Sequence, residues 1–490
     1  MTPPILFTST RGQTDPVNFD TAVLRGFAPD GGLFVPDRLP RFRPDELEEM
    51  AELGYTGLAV HILSRFIDPR IIPAEDLDRL VKESFTAFTH PDILPIVPCP
   101  EAPDIRIMEL FHGPTLSFKD IAMGFLVRVM DYLLARENRH LNLVLATTGD
   151  TGPAAAHAAA GLRTMDCWPL FPKGRITREQ EVQMTGLTAP NIHPVGVENC
   201  PDGGDDLDRV VLSLFSDPRL KQDLELSSVN SINWCRVMVQ SVHYFYGYLR
   251  VCDRLGDPVR FSVPSGAFGN LFAGFLAREM GLPIKEFICS VNANQTLYRA
   301  FTTGEFRNDA LIPTCSSAID IVVPYNFWRF LYFASGRNTD KIKSWMDEFR
   351  SRGRVKLDPD TRAAIRRGFS AVSISDDQTL ETIRRLYTSA EPYLLDPHGA
   401  VAVAGAFAAR DTPEAETPIV CMATAHPAKF PGVSTRALEG AEGNAADLPG
   451  EAVHPSLVRA AQAPQNLATC RLESLESYLI NAMTLGHDAG

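Results

Sequence analysis

Residues 141–161 read LNLVLATTGDTGPAAAHAAAG. The nearly continuous apolar run Leu141–Ala146 predicts a strand buried on both faces. Thr147–Gly152 is a loop of hydroxyls and glycines. In the helix that follows, Pro153 suits the first position and Gly161 the stop. The same grammar recurs along the chain. VRFSVP (259–264) is followed by the loop SGAFGN (265–270) and the helical LFAGFLAREMG (271–281), while EFICSV (286–291) and PIVCMA (418–423) read as further strands. Strand, glycine-containing loop and helix in repetition predict an α/β fold of parallel sheets flanked by helices. Ligands of such folds bind at the carboxyl ends of the strands, where these loops lie.

The chain has 490 residues, 45% of them hydrophobic, enough for large cores and two or three domains. Residues 1–95 mix short helical patterns with proline-rich breaks and read as an N-terminal α+β domain. Residues 96–440 read as a catalytic core of two open α/β subdomains, and 441–490 as a link and a terminal segment. The formal charge of −13 and the dispersed basic residues argue against nucleic acid, but leave room for small anions held by local donors. Nine cysteines without a C-x-x-C pair suggest reduced thiols. MTPPILFTSTRG has no secretory signature, and no run of about 18 uncharged apolar residues marks a membrane span. The expectation is a soluble cytoplasmic enzyme, monomer or homodimer.

Five stretches contain residues suited to chemistry. In FHGPTLSFKD (111–120), Lys119 follows a phenylalanine and opens a helix whose Ala122, Leu126, Val129 and Leu133 recur at helical spacing. Asp120 complements the helix dipole. Desolvation there would lower the lysine pKa and leave an amine competent for Schiff-base chemistry. Taken alone, the stretch is better explained by a buried stem with a head reaching solvent. SGAFGN offers backbone amides and a helix start to a phosphate, with Gly266 and Gly269 permitting close approach, or is simply a tight turn. It lacks the G-x-G-x-x-G spacing of a dinucleotide site. TTGDTG suits a carboxylate, or caps its helix through Asp150 and Thr151. NSINWCR (230–236) could present Ser231, Asn233 and Arg236 to one anion, although a surface polar face is the simpler reading. In CMATAHPAKF (421–430), Thr424 emerges at a strand end, and His426 has no companions with metal-ligand spacing, so no metal is expected. No G-x-S-x-G elbow supports a serine hydrolase.

FTSTRG (7–12), FAPDGGLFVPDRLP (27–40), FHGPTLSFKD, TTGDTG, NSINW, DPHGAV (396–401) and ATAHPAKF, in this order, resemble the threonine synthase family. That family lies in the tryptophan-synthase-like class of pyridoxal-phosphate enzymes, fold type II, and the likeness covers about nine-tenths of the chain. The resemblance implies that Lys119 holds pyridoxal 5'-phosphate as a Schiff base and later moves protons. It implies that Gly266, Ala267, Phe268, Gly269 and Asn270 hold the cofactor phosphate and that Thr424 faces the pyridine nitrogen. Thr148, Asp150 and Thr151 would then line the substrate carboxylate pocket, and Ser231, Asn233 and Arg236 the substrate phosphate. The implied reaction is a lyase step of threonine biosynthesis: elimination of phosphate from O-phospho-L-homoserine, then hydration to L-threonine. A phospholyase releasing 2-oxobutyrate, a γ-replacement enzyme and a non-catalytic cofactor-binding descendant are the alternatives. Three positions depart from the family pattern: Ala267 stands where Asn is usual, Thr148 where Ser is, and Gly399 where Thr is.

Overall fold

In a computed structural model describing residues 3–410, 417–439 and 450–487, Leu141–Ala146 forms a strand buried at every position. Fifteen strands follow in chain order. They are β1 (Phe7–Ser9), β2 (Phe34–Pro36), β3 (Ile96–Cys99), β4 (Ala102–Glu109), β5 (Leu141–Ala146), β6 (Met165–Pro172), β7 (Val195–Glu198) and β8 (Leu226–Ser227). Then come β9 (Val259–Pro264), β10 (Ile284–Val291), β11 (Glu305–Arg307), β12 (Arg354–Lys356), β13 (Phe369–Ser373), β14 (Ile419–Ala423) and β15 (Ala468–Arg471). One sheet has the order β13-β10-β9-β14-β4-β3, parallel except for the antiparallel edge β3/β4. The second, β15-β7-β6-β5-β8, is parallel throughout. Two small antiparallel pairs, β1/β2 and β11/β12, complete the strands. The α/β class with parallel sheets is the one the sequence predicts.

Helices cover both sheets because βαβ crossovers place them there. Lys119–Glu137 is buried along most of its length, and Asn138 ends it with a left-handed φ of 50°. Trp234–Val251 is buried from Trp234 to Leu249 and packs on Lys119–Glu137, Gly269–Glu279 and the N-terminal helix Tyr55–Leu63. The N-terminal region thereby buttresses the core from behind. Among the described residues, no helix is long and apolar enough to cross a membrane.

The C-terminal residues are built into the second sheet. β15 pairs with β7 from Ala468↔Val195 to Arg471↔Glu198, and helix Pro455–Gln462 packs on Arg178–Thr185. Helix Leu475–His487 buries Leu475, Leu479 and Met483 with Val144, Leu170 and Leu207. Leu479→Ala should therefore lower stability by about 2–5 kcal/mol, the usual cost of a large-to-small change in a core. A fall in the urea midpoint measures it, and an unchanged midpoint would show that this helix adds nothing to the core.

Candidate active site

The loops after β5, β8, β9 and β14 converge on the start of helix Lys119–Glu137, in a cleft between the two large sheets. The cleft has an inner and an outer lobe, and Lys119, Ser231, Ala267, Ala318 and Ile321 line both.

Lys119 is the first helical residue, with its Nζ 4.3 Å from the centre of the Phe118 ring. The aromatic face offsets part of the ammonium's lost hydration. Burial, reinforced by the positive charge of Arg236, pushes the Lys119 pKa down to about 8. Next to it, Asp120 accepts hydrogen bonds from Thr115 N (2.9 Å) and Thr115 Oγ1 (2.6 Å). Burial outweighs those donors and raises its pKa to about 6.

The Ser265–Asn270 loop, with Arg236, Gln240, His398 and Thr424, forms the inner lobe. Phe268 takes a left-handed backbone, φ 63° and ψ 5°, immediately before helix Gly269–Glu279. For a bulky side chain that conformation is strained, and such strain is concentrated at ligand-binding turns. A Cβ on Gly266 would stand 2.9 Å from Ile319 Cα, so only glycine lets the loop pass there. Asn270 Oδ1 accepts from His243 Nε2 (2.8 Å) and Tyr244 OH (3.1 Å), which fixes the amide and leaves Nδ2 without a partner. Burial pushes the His243 pKa down to about 4, so this ring is neutral. Arg236 is fully buried, and its Nη1 donates to Val229 O at 2.8 Å while Nε has no partner. Its pKa is pushed down to about 10 by burial. Unpartnered donors, a helix start and a buried cation in one lobe are what a bound phosphate ester requires. The residues therefore fit pyridoxal phosphate. Thr424 is 6% exposed, and its carbonyl accepts from Phe118 N at 2.8 Å, joining the β14 end to the Lys119 loop.

Thr148, Thr151, Asn230 and Ser231 line the outer lobe. Thr147 Oγ1 accepts from both Gly149 N and Gly152 N at 3.0 Å and so folds the loop upon itself. Thr148 Cγ2 would be 2.7 Å from a Cβ on Gly204, so its methyl occupies space that only glycine leaves free. Asp205 and Asp208 stand in the same wall, with pKa values raised by burial to about 6 and about 7. Asp150 belongs to the inner lobe, where its carboxylate accepts from Lys429 Nζ (2.8 Å) and Gln180 Nε2 (3.0 Å).

Of the residues predicted from sequence, Lys119, Thr148, Asp150, Thr151, Ser231, Arg236, Gly266–Asn270 and Thr424 line the cleft. Asn233 is placed elsewhere. Its oxygen caps helix Trp234–Val251 through Cys235 N (3.1 Å), and its amide donates to Val23 O (2.8 Å) and Ser228 O (3.3 Å). Fully buried and saturated, it holds the Ser231 turn rather than facing the cleft. A polar residue at a helix start gives the same sequence signal as a capping residue or as a ligand. Arg236 lies in the lobe of the glycine loop, not beside Thr148. Sequence reasoning missed Lys429, His398 and Arg329. Arg329 is fully buried, donates to Phe34 O (3.0 Å) and Asn326 Oδ1 (2.6 Å), and reaches Ile232 O. His398 joins Asp396 Oδ1 (2.7 Å) and accepts from Ala318 N (3.0 Å), pinning the cleft's Ala318 segment. Both His398 and Lys429 sit inside motifs quoted above, which is the signal that could have found them. Among the described residues, no group of three or more His, Cys, Asp and Glu side chains could hold a metal ion.

Three family models cover the chain: "Threonine synthase N terminus" on residues 6–85, "Pyridoxal-phosphate dependent enzyme" on 95–425 and "Threonine synthase, C-terminal" on 399–477. The chain belongs to the threonine synthase family of pyridoxal-phosphate-dependent enzymes. It is similar to the threonine synthase of Pseudomonas aeruginosa, 37% identical over 87% of this chain and 88% of that one. It is similar also to threonine synthase-like 2 of Xenopus laevis, 38% identical over 88% and 90%. The crystal structure of the threonine synthase of Brucella melitensis with bound pyridoxal phosphate superposes with a TM-score of 0.87, at 36% identity over 97% of this chain and 99% of that one. The cofactor of this lyase is pyridoxal phosphate, as the family and the inner lobe both require.

Asn233→Ala tests its structural placement. Loss of a cap and of two buried donors should lower stability by about 1–3 kcal/mol, read as a fall in the thermal midpoint of the cofactor-free protein. Unchanged stability would return Asn233 to the list of ligands.

Proposed function

We propose that the chain eliminates phosphate from Cγ of O-phospho-L-homoserine and adds water at Cβ to give L-threonine. The observation that carries this reading is the meeting, in one cleft, of a lysine of lowered pKa with a buried, incompletely bonded arginine and a glycine loop with free donors. The match of threonine synthase models over both ends of the chain supports it.

When bound, pyridoxal phosphate supplies an electron sink that makes the Cα and Cβ protons of an amino acid removable. The protein's own residues then divide the remaining work. Lys119 holds the cofactor through its amine and, once displaced, takes the proton from substrate Cα. A pKa of about 8 suits that duty, since a base serves best near the working pH. Gly266, Ala267, Phe268, Gly269 and Asn270 hold the cofactor phosphate on amides and the Asn270 Nδ2 group. Thr424, at the end of β14 in the inner lobe, would offer the ring nitrogen a neutral hydroxyl rather than a carboxylate. The loop bearing Thr148, Asp150 and Thr151 receives the α-carboxylate. Ser231, which lines both lobes, receives the substrate phosphate as it leaves, Arg236 adds its charge to the cofactor-phosphate lobe, and Asn233 fixes the Ser231 turn.

A phospholyase outcome, in which 2-oxobutyrate, ammonia and phosphate are released, is favoured by one observation. The Thr148 methyl adds bulk to the outer-lobe wall facing Gly204, beside the loop assigned to the substrate. A proton NMR time course with O-phospho-L-homoserine separates the two. Threonine formed with phosphate supports the first reading, 2-oxobutyrate the second, and no consumption refutes both. Lys119→Ala should abolish turnover and the cofactor's protein-bound absorbance, and turnover at the wild-type rate would remove Lys119 from its role. Because Lys119 must be neutral to attack, cofactor uptake by the free protein should slow about tenfold for each unit that pH falls below about 8. Stopped-flow absorbance measures this, and a midpoint near the ordinary lysine value, about 10.4, would contradict it.

A further inference from the structure

Lys429 ends the short turn Pro427–Lys429 after β14 and is fully buried. Its Nζ donates to Asp150 Oδ1 at 2.8 Å and to Thr115 O at 2.9 Å. Thr115 is in turn clasped by Asp120, and its carbonyl also accepts from Gln183 Nε2 at 3.0 Å. One ammonium thus ties together the β5 loop, the loop before Lys119 and the β14 end.

The charge matters more than the tether. Asp150 is 4% exposed and lies within the loop assigned above to a carboxylate ligand. Two carboxylates a few ångströms apart in a water-poor site repel by several-fold to many-fold in affinity unless one of them is neutralised. Burial works against the Asp150 charge, yet Lys429 and then His398 hold its pKa below the ordinary carboxylate value. The aspartate is therefore ionised, and its charge is cancelled locally.

We propose that Lys429 is a positioning residue that cancels the charge of Asp150, so that the Thr147–Gly152 loop can receive the α-carboxylate of an amino-acid substrate. The proposal rests on the assignment of that loop to the carboxylate, but not on phosphate as the leaving group. Other titratable or charged groups around the pair are Lys119, Asp120, His157, Arg236, His398 and His426. All of them remain in the variants below.

The test uses L-norvaline, which has the α-carboxylate but neither phosphate nor a leaving group, titrated into the holoenzyme and read by the cofactor's absorbance. In Lys429→Met the lone Asp150 carboxylate should weaken binding at least about tenfold at high pH. Without the ammonium, the Asp150 pKa rises, so lowering the pH protonates it and affinity should recover. Asp150→Asn combined with Lys429→Met removes both charges, and should restore most of the affinity and abolish the extra pH dependence. If the pH dependence survives in the double variant, Asp120 is its source and the proposal falls. It falls too if Lys429→Met binds norvaline as the wild type does.

Thermal unfolding of the cofactor-free proteins gives a second readout. In the wild type, the depressed Asp150 pKa contributes stability that is present above the unfolded value and lost as pH falls. In Lys429→Met the raised pKa reverses the sign, so its midpoint should rise relative to the wild type as pH falls. Parallel pH profiles would overturn the proposal. Should Lys429→Met fail to fold, the double variant decides alone: near-wild-type norvaline affinity supports charge cancellation, and loss of affinity in a folded double variant refutes it. A wild type that binds norvaline yet releases no phosphate from O-phospho-L-homoserine would sink the proposed reaction and leave this inference standing.

Discussion

Lys119, Arg236 and Lys429 are held around one cleft in which Asp150 is paired with Lys429, while burial raises the pKa values of Asp120 and Asp205 to about 6 and of Asp208 to about 7. Buried charge that is not matched is costly, and a protein escapes the cost by shifting pKa values or by binding a counter-ion. Here both responses are visible. Lys119 gives up much of its hold on a proton, and Arg236 keeps an unpartnered Nε. In the inner lobe, where Asp150 is already paired with Lys429, the Arg236 charge is left for a phosphate ester to meet. Cofactor binding and catalytic readiness thus share one electrostatic cause, and much of the surrounding architecture serves to hold these side chains in place.

That architecture draws on distant parts of the chain. Arg329 reaches the carbonyls of Phe34 and Ile232, so an N-terminal strand is fastened to the turn that presents Ser231. Asn233 fastens the same turn to Val23 O. Among the described residues, the N-terminal region has no side chain but Phe27 in the outer lobe wall and none in the inner one. Its contribution is to fix the backbone from which others project, which is how a small misplacement far from the chemistry becomes a large loss of rate.

Strands such as Leu141–Ala146 and Val259–Pro264 were legible because parallel sheets bury both faces and so write continuous apolar runs. The Lys119 helix was legible from its periodicity, and the cleft residues from loops that follow strands. β8, with two residues, and β15, an alternating ATCR at a sheet edge, are too short to rise above turn-like sequence, and pairing alone makes them strands. The misplaced Asn233 shows a deeper limit, since capping and ligand binding draw on the same side-chain chemistry at the same helix position. Lys429 stands inside a quoted motif and Arg329 does not, but the role of either was hidden for a different reason. Thr115 O, which Lys429 meets, and Phe34 O, which Arg329 meets, lie 314 and 295 residues away, and no local pattern records those pairings.

The departures from the family pattern divide along the same physical lines. Ala267 removes a side chain from a loop whose remaining donors, the backbone amides and Asn270 Nδ2, still face the inner lobe. Gly399 sits under the Asp396 cap, where a Cβ would stand 2.8 Å from Asp396 Oδ2 and 3.0 Å from Leu395 Cδ2. A larger residue there would move the cap and, through Asp396, the His398 ring that anchors Ala318. Thr148 differs from both, because its methyl is matched by the absence of a side chain at Gly204 across the lobe. The small residue at Gly204 leaves room for that methyl, so the departure is accommodated without a clash. The inner lobe accordingly keeps the donors that fit the cofactor, and the Thr148 departure falls in the outer lobe, on the wall that also carries Asp205 and Asp208.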